Sequence, residues 1–264
     1  SLEKDVIFII ATPPNTHFNI LKVVLENKFN AMVEKPILLS LDHLKKIKDL
    51  SETNRVTFYE CFMHRYGLIY KEFLNIYKTN KEKIDLIDIN FCLPELPDNT
   101  FRDNNAISSS VVYDIGCYPI SLLNDLDITD KIIKIKNIKN LRDYKNECFD
   151  IEVRSDNTKF NIKFGINNTY TNNIIIRMFN GEKIKFEPFF YGRKKEKRIV
   201  YSNTISKKVR VIKDKNLFEE MFKNSIKDLQ ISQKRRNELM KKNIFDLEDI
   251  INQYKTFSWY IYAS

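Results

Sequence analysis

The stretch Asp5 to His17, "DVIFIIATPPNTH", decides the fold. Residues 5–10, apolar after Asp5, form a largely β-branched run of the kind expected of a strand buried on both faces. Pro13 and Pro14 end that strand and open a helix, because proline tolerates the first helical turn and little else. The helix is expected around Phe18 to Glu26, with Ile20, Leu21, Val24 and Leu25 apolar at helical spacing. A buried strand that turns directly into an amphipathic helix is the first half of a βαβ unit.

The pattern repeats outward. "NAMVEKP" (Asn30 to Pro36) reads as a second strand. Ser40 then caps a helix whose buried stripe is Leu41, Leu44, Ile47 and Leu50, and "VTFYECF" (Val56 to Phe62) is a third strand. Strand, helix, strand, helix, strand at this spacing makes a parallel sheet, whose ligands gather outside the carboxyl ends of the strands. Those ends are Thr12, Glu34-Lys35 and His64-Arg65. After a helix near Leu68 to Tyr77 the pattern changes to "KIDLIDINFCL", then "ISSSVVYDIGCYPISLLNDL" leading into a helix. Repeated strands follow from about Lys131 to Ile212, some joined by hairpin turns such as Asn180-Gly181. A charged helical tail closes the chain. The reading is an α/β protein with a partial Rossmann domain over 1–80. A domain with a large, open, mostly antiparallel sheet follows over 81–264.

Composition removes several function classes. The 264 residues carry a net charge of +9, but the lysines are spread among Asn and Ile and no arginine-dense stripe marks a nucleic-acid surface. "GRKKEKR" (Gly192 to Arg198) reads as a solvated hairpin tip. Cys61, Cys92, Cys117 and Cys148 are scattered without C-x-x-C spacing, so no metal site is expected and reduced, buried thiols are. No apolar run approaches the ~20 residues of a membrane span, and the N-terminus lacks a signal-peptide core. A cytoplasmic protein is expected, with no membrane or nucleic-acid partner. "NNT" at Asn167 is a sequon by pattern only.

Two constellations could carry chemistry. Lys35 stands between Glu34 and Pro36 at a strand's carboxyl edge, and Pro36 restricts its backbone. It is either an ordinary loop lysine or an ammonium placed to polarise a substrate oxygen. Asp114 and Tyr118 lie four residues apart within the apolar "VVYDIGCYPISLL" (Val111 to Leu123). They are either a helix cap and a packed phenol, or a proton donor and its electrostatic partner on one helical face. His17 reads as a satisfied loop histidine and Arg65 as an anchor for an acidic neighbour.

Taken together, these segments, with "FYECFMHRYG" and "FNGEKIKFEPFF", resemble in order and spacing the glucose–fructose oxidoreductase / inositol dehydrogenase / MocA family, nearest the dihydrodiol dehydrogenase-like subgroup. The resemblance covers most of Asp5 to Phe190 and fades in the tail. It implies a Rossmann domain followed by an α/β domain with an open sheet, and reversible hydride transfer between NAD or NADP and the carbinol carbon of a sugar, cyclitol or related diol. It places Thr12, Pro13 and His17 in the turn lining the cofactor, Glu34 near the nicotinamide ribose and Arg65 near the nicotinamide end. Lys35 becomes the catalytic lysine. Asp114 and Tyr118 fall on the D-x-G-x-(H/Y) motif, Tyr118 in the proton-transfer position. The family's pairing through the second sheet implies a homo-oligomer.

Two features depart from the pattern. The five glycines, at 67, 116, 165, 181 and 192, make no G-x-G-x-x-G fingerprint, and the strand, loop and acidic residue of that fingerprint should precede Asp5. The sequence therefore looks like a Rossmann domain without its front half, truncated relative to a sugar dehydrogenase. It is also open to a second reading, as a catalytically silent binding or scaffold module. Its first strand would then present unpaired backbone and apolar side chains. Ser108-Ser109-Ser110 replaces the expected Gly-rich turn before the D-x-G motif.

Overall fold

The structure is a computed structural model describing residues 6–98, 100–104, 110–126, 128, 131–140, 143, 146–155, 158–166, 168–190, 196–228 and 233–263. Its first lobe is a three-stranded parallel sheet in the order β1 (Ile7–Ile10), β2 (Asn30–Glu34), β3 (Phe58–Cys61). The strands alternate with α1 (Pro14–Glu26) and α2 (Leu41–Asn54). Pro14 opens α1, and the Ser40 side chain accepts from the His43 N–H to cap α2. Both helices lay their apolar stripes on one face of this sheet, with Leu21, Leu25, Ile47 and Phe58 fully buried between them.

One expectation about β1 is overturned. Its apolar run is not buried on both faces: Phe8 is 36% and Ile9 57% exposed, and only Ile10 is buried. β1 pairs with β2 alone, so its outer edge and part of its surface have no covering layer among the described residues.

The chain leaves β3 through a 3-10 turn at Met63–Tyr66, forms α3 (Leu68–Asn80), and enters the second sheet at β4 (Ile84–Cys92). The sheet continues with β5 (Ile132–Lys139), β6 (Cys148–Ser155), β7 (Thr158–Gly165) and β8 (Thr171–Met178). Its last strands are β9 (Lys183–Glu187), β10 (Glu196–Ser202) and β11 (Lys207–Lys213). The eight-stranded order is β11-β10-β9-β8-β4-β7-β6-β5, antiparallel except for the β4–β7 pair. Gly181 takes φ +84° in the turn from β8 to β9, a conformation that glycine reaches without Cβ strain. The tip at 191–195, part of "GRKKEKR", and the sequon Asn167 lie outside the described residues, as do Ser108 and Ser109.

Strand alternation divides this sheet into two faces. The inner face carries Ile87, Ile89, Phe91, Phe149, Ile162 and Phe164 and is buried under helices. The opposite face is polar, with Asp88 paired to Arg177 at 2.7 Å and Glu152 paired to Arg154 and Lys159 at 2.7 and 2.9 Å.

The helix facing the inner surface begins irregularly. Residues Val112–Gly116 form a π-turn that passes into α4 (Cys117–Asp125). An ideal Cβ on Gly116 would lie 2.9 Å from the Phe164 ring, so the absent side chain is what lets this turn settle on β7. The tail folds back as α5 (Leu217–Asp228) and α6 (Gln233–Ala263). Met221 of α5 packs with Met32, Tyr59 and Cys61 on the other face of the first sheet. All four cysteines are buried free thiols.

Candidate active site

Lys35, Asp114 and Tyr118 meet where the carboxyl edge of β2 faces the π-turn. The Lys35 ammonium donates to the Asp114 carbonyl oxygen at 2.5 Å and to Asp114 Oδ1 at 2.9 Å. It also lies 4.8 Å from the centre of the Tyr118 ring. Residues far apart in sequence are thereby brought to one point.

A third charged group, which sequence reading missed, completes the cluster. Arg102, in a 3-10 turn at Phe101–Asn104, donates from Nε to Asp114 Oδ2 at 2.7 Å. Asp114 thus accepts one cation on each carboxylate oxygen. Nothing in the local pattern around Arg102 signals this contact, because a single arginine in a polar loop has no periodicity to read.

The electrostatics follow from this arrangement. Burial opposes ionisation of Asp114, but Lys35 and Arg102 hold its carboxyl down at about 2. Burial also disfavours the Lys35 ammonium, and the Asp114 carboxylate reverses that and drives its pKa above the usual lysine range. Burial pushes the Tyr118 phenol up, with Lys35 working against the rise. At neutral pH the site therefore holds an ammonium, a carboxylate, a guanidinium and a neutral phenol. Among the described residues no hydrogen bond ties up the Tyr118 hydroxyl.

The ring of Tyr118 is fixed by Phe91, Phe62, Phe190 and His64, with centroids 5.1 to 6.0 Å away. His64 is buried in this aromatic box, and among the described residues neither ring nitrogen has a hydrogen-bond partner. Burial, then the Arg65 and Lys35 cations, holds its pKa far below the ordinary value, so it is neutral.

The remaining residues singled out from the sequence separate into two groups. Thr12 and Pro13 are exposed at the turn where β1 meets α1, and Glu34 is half-buried beside Lys35, its carboxyl raised by burial. These residues stand at neighbouring strand ends, where a nicotinamide ring and its ribose would lie in a parallel sheet. His17 is instead buried, with Nε2 2.7 Å from the Thr12 carbonyl and Nδ1 3.0 Å from the Pro36 carbonyl. It joins the two strand-end turns. Arg65 is engaged by Asp125, with Nε at 2.7 Å and Nη2 at 3.0 Å, and the Tyr70 hydroxyl donates to the same carboxylate. That pair fastens the turn after β3 to the end of α4. The described residues fit the nicotinamide end of a dinucleotide, and no glycine-rich loop among them cradles a pyrophosphate. They also contain no cluster of side chains that could hold a metal ion, and no helix long and apolar enough to cross a membrane.

A parallel βαβ lobe joined to an open antiparallel sheet, with lysine, aspartate and tyrosine at their junction, is the arrangement that the resemblance in sequence implied. Residues 3–62 match the model of the GFO_IDH_MocA oxidoreductase family, NAD-binding Rossmann fold, which bears out the resemblance read from sequence. Solved structures agree in fold. KijD10, a 3-ketoreductase from Actinomadura kijaniata in complex with NADP and TDP-benzene, superposes with a TM-score of 0.80 at 14% identity, over 93% of this chain and 78% of its own. The aldose–aldose oxidoreductase from Caulobacter crescentus, complexed with glycerol, gives 0.76 at 11% identity, over 95% and 77%. No curated protein matches by sequence.

Proposed function

We propose that this chain catalyses reversible NAD(P)-linked hydride transfer at the carbinol or carbonyl carbon of a sugar, cyclitol or related diol. The observation that carries the reading is the Lys35 ammonium held between the Asp114 carboxylate and the face of the Tyr118 ring. A ketoreductase and an aldose oxidoreductase sharing the fold support the substrate class.

When bound, the nicotinamide supplies or accepts the hydride at the reacting carbon. The chain's own residues manage the proton. In the direction of reduction, Tyr118 gives its hydroxyl proton to the substrate oxygen as that oxygen gains charge. The Lys35 cation stabilises the phenolate left behind and the developing alkoxide. Asp114 holds Lys35 in place, and Arg102 prevents Asp114 from turning toward the substrate. In the reverse direction the phenolate takes the carbinol proton. Thr12, Pro13 and Glu34 would contact the nicotinamide end, with Arg65 and His17 supporting the turns beneath it. We place the substrate between the two lobes, taking residues 1–80 as the cofactor lobe and 81–264 as the substrate lobe. Copies of the chain would pair over the open face of the large sheet, a polar interface that sedimentation can test.

The alternative reading is a catalytically silent module that keeps the fold and the pocket. Titration with NADH and NADPH, followed by nicotinamide fluorescence, separates the two. Saturation followed by turnover on a panel of keto-sugars and polyols supports the enzyme. Absence of any saturable signal supports the silent module.

A further inference from the structure

The tail helix α6 belongs to both lobes. Met240 and Ile244 pack into the core of the first lobe, and Leu247, Ile250 and Ile251 into the core of the second. At 1.5 Å per residue the span from Met240 to Ile251 is roughly 16 Å of rigid rod laid across the junction. Its polar side chains fasten it to each lobe. Glu248 accepts the Leu41 N–H at the start of α2 at 3.2 Å. The Gln253 amide donates to the Ile133 carbonyl at 2.8 Å and accepts the Ile135 N–H at 3.1 Å, closing on the edge strand β5.

At the middle of this rod lies a buried polar chain. Glu60 of β3 accepts the Ile37 N–H on Oε1 at 3.0 Å, which fixes the turn two residues beyond Lys35. Its other oxygen accepts from Asn243 Nδ2 at 3.4 Å. The Asn243 Oδ1 accepts from Asn124 Nδ2 at 2.8 Å, and Asn124 lies on α4, six residues beyond Tyr118. Asn124 Nδ2 also reaches Asp246 at 2.9 Å. Lys131 pairs with Asp246 at 2.8 Å and donates to Asn124 Oδ1. Glu60, Asn124, Asn243 and Asp246 are all at least nine-tenths buried.

We infer that Asn243 is a positioning residue: by holding Glu60 and Asn124 together it sets the separation between Lys35 and Tyr118. Each end of one amide fixes one arm of the site. An apolar residue there would leave Glu60 Oε2 and the Asn124 amide each short of a partner in a dry interior, which favours movement of both arms. The catalytic consequence rests on the function proposed above, whereas the positioning does not.

The test compares Asn243→Leu and the milder Asn243→Ser with Ile244→Ala, which loosens the same helix without touching the polar chain. The probes are cofactor affinity, kcat, and the Lys35 ammonium signal in 15N-lysine spectra, which slow exchange preserves while Asp114 holds the group. In Asn243→Ser and Asn243→Leu we expect the ammonium signal to be lost and kcat to fall about tenfold or more, since small misplacements of reacting groups cost that much. Cofactor affinity should stay within about twofold. Ile244→Ala should lower Tm comparably yet keep the signal and the turnover. If Asn243→Leu fails to fold, Asn243→Ser decides. An undiminished Lys35 signal in Asn243→Ser overturns the inference whatever happens to kcat. Should the native chain show no turnover, the functional reading fails while the ammonium signal still decides the positioning.

Discussion

Replacing Asp114 by asparagine tests the electrostatic core of the site through folding alone. In the native chain Lys35 and Arg102 each pair with one carboxylate oxygen, at 2.9 and 2.7 Å, and the aspartate side chain is 7% exposed. Keeping its pKa at about 2 rather than 3.8 corresponds to about 2 kcal/mol of folding stability at neutral pH. The sign is that of a depressed acid: the stabilisation is complete above the ordinary carboxyl pKa and is lost as pH falls through about 2. The neutral amide would also leave the Lys35 ammonium without its charged partner, so the total loss should be roughly 3–5 kcal/mol, the range for breaking a buried pair. That is a fall in Tm of roughly 6–20 °C for a chain of this size. Urea unfolding at neutral pH and at several values between about pH 4 and pH 2 reads both quantities. The native protein should lose stability across that window and Asp114→Asn should lose less. Removing an exposed pair as a control, with Glu26→Gln uncoupling Lys22, should change stability by roughly 0.5 kcal/mol or less. An Asp114→Asn protein as stable as native, with the same acid slope, would refute the reasoning.

Other changes follow from the same geometry. Tyr118→Phe should leave folding within about 1 kcal/mol, because no hydrogen bond among the described residues is lost, but lower turnover about 100-fold or more; unchanged kcat would remove Tyr118 from proton transfer. Gly165→Ala should be among the most damaging single changes, since its Cβ would stand 2.6 Å from the Cys148 Cα and the Glu147 carbonyl oxygen, backbone atoms that cannot yield. A loss beyond about 3 kcal/mol or failure to accumulate as folded protein is expected, and a Tm near native would contradict it. Asp125→Ala should cost roughly 3 kcal/mol by stranding the partly buried Arg65 cation. It should do so with cofactor affinity changed much less than stability, read by comparing thermal unfolding with nicotinamide titration.

The sequence reports what is periodic and local. Alternation and helical stripes placed β2, α2, β4 and the later hairpins, and two short motifs pointed to Lys35, Asp114 and Tyr118. Those residues stand out because an apolar setting makes an isolated charge or phenol conspicuous. Arg102 does not stand out, because it lies in a polar loop and its partner is 12 residues away across the site. The π-turn at Val112–Gly116 leaves no trace in composition. Glu60 could have been found, as a carboxylate inside "FYECF", where burial demands a partner. So could α6: Met240, Ile244, Leu247, Ile250 and Ile251 form an apolar stripe, but its two-lobed burial is a tertiary fact that the tail's many charges conceal. The exposure of Phe8 and Ile9 cannot be read from their own run, which looks the same at the centre of a sheet and at its edge; only the missing glycine fingerprint points to it.

The central claim is that hydride passes to or from a sugar-like carbon beside Lys35 and Tyr118. Incubating the protein with a panel of keto-sugars and NADPH deuterated at the transferring position, then weighing the products, tests it most directly. The account predicts one deuterium on the new carbinol carbon with native protein, and almost none with Tyr118→Phe at equal cofactor occupancy. Label transferred equally well by Tyr118→Phe, or cofactor bound by the native chain with no label delivered to any carbonyl, would contradict it.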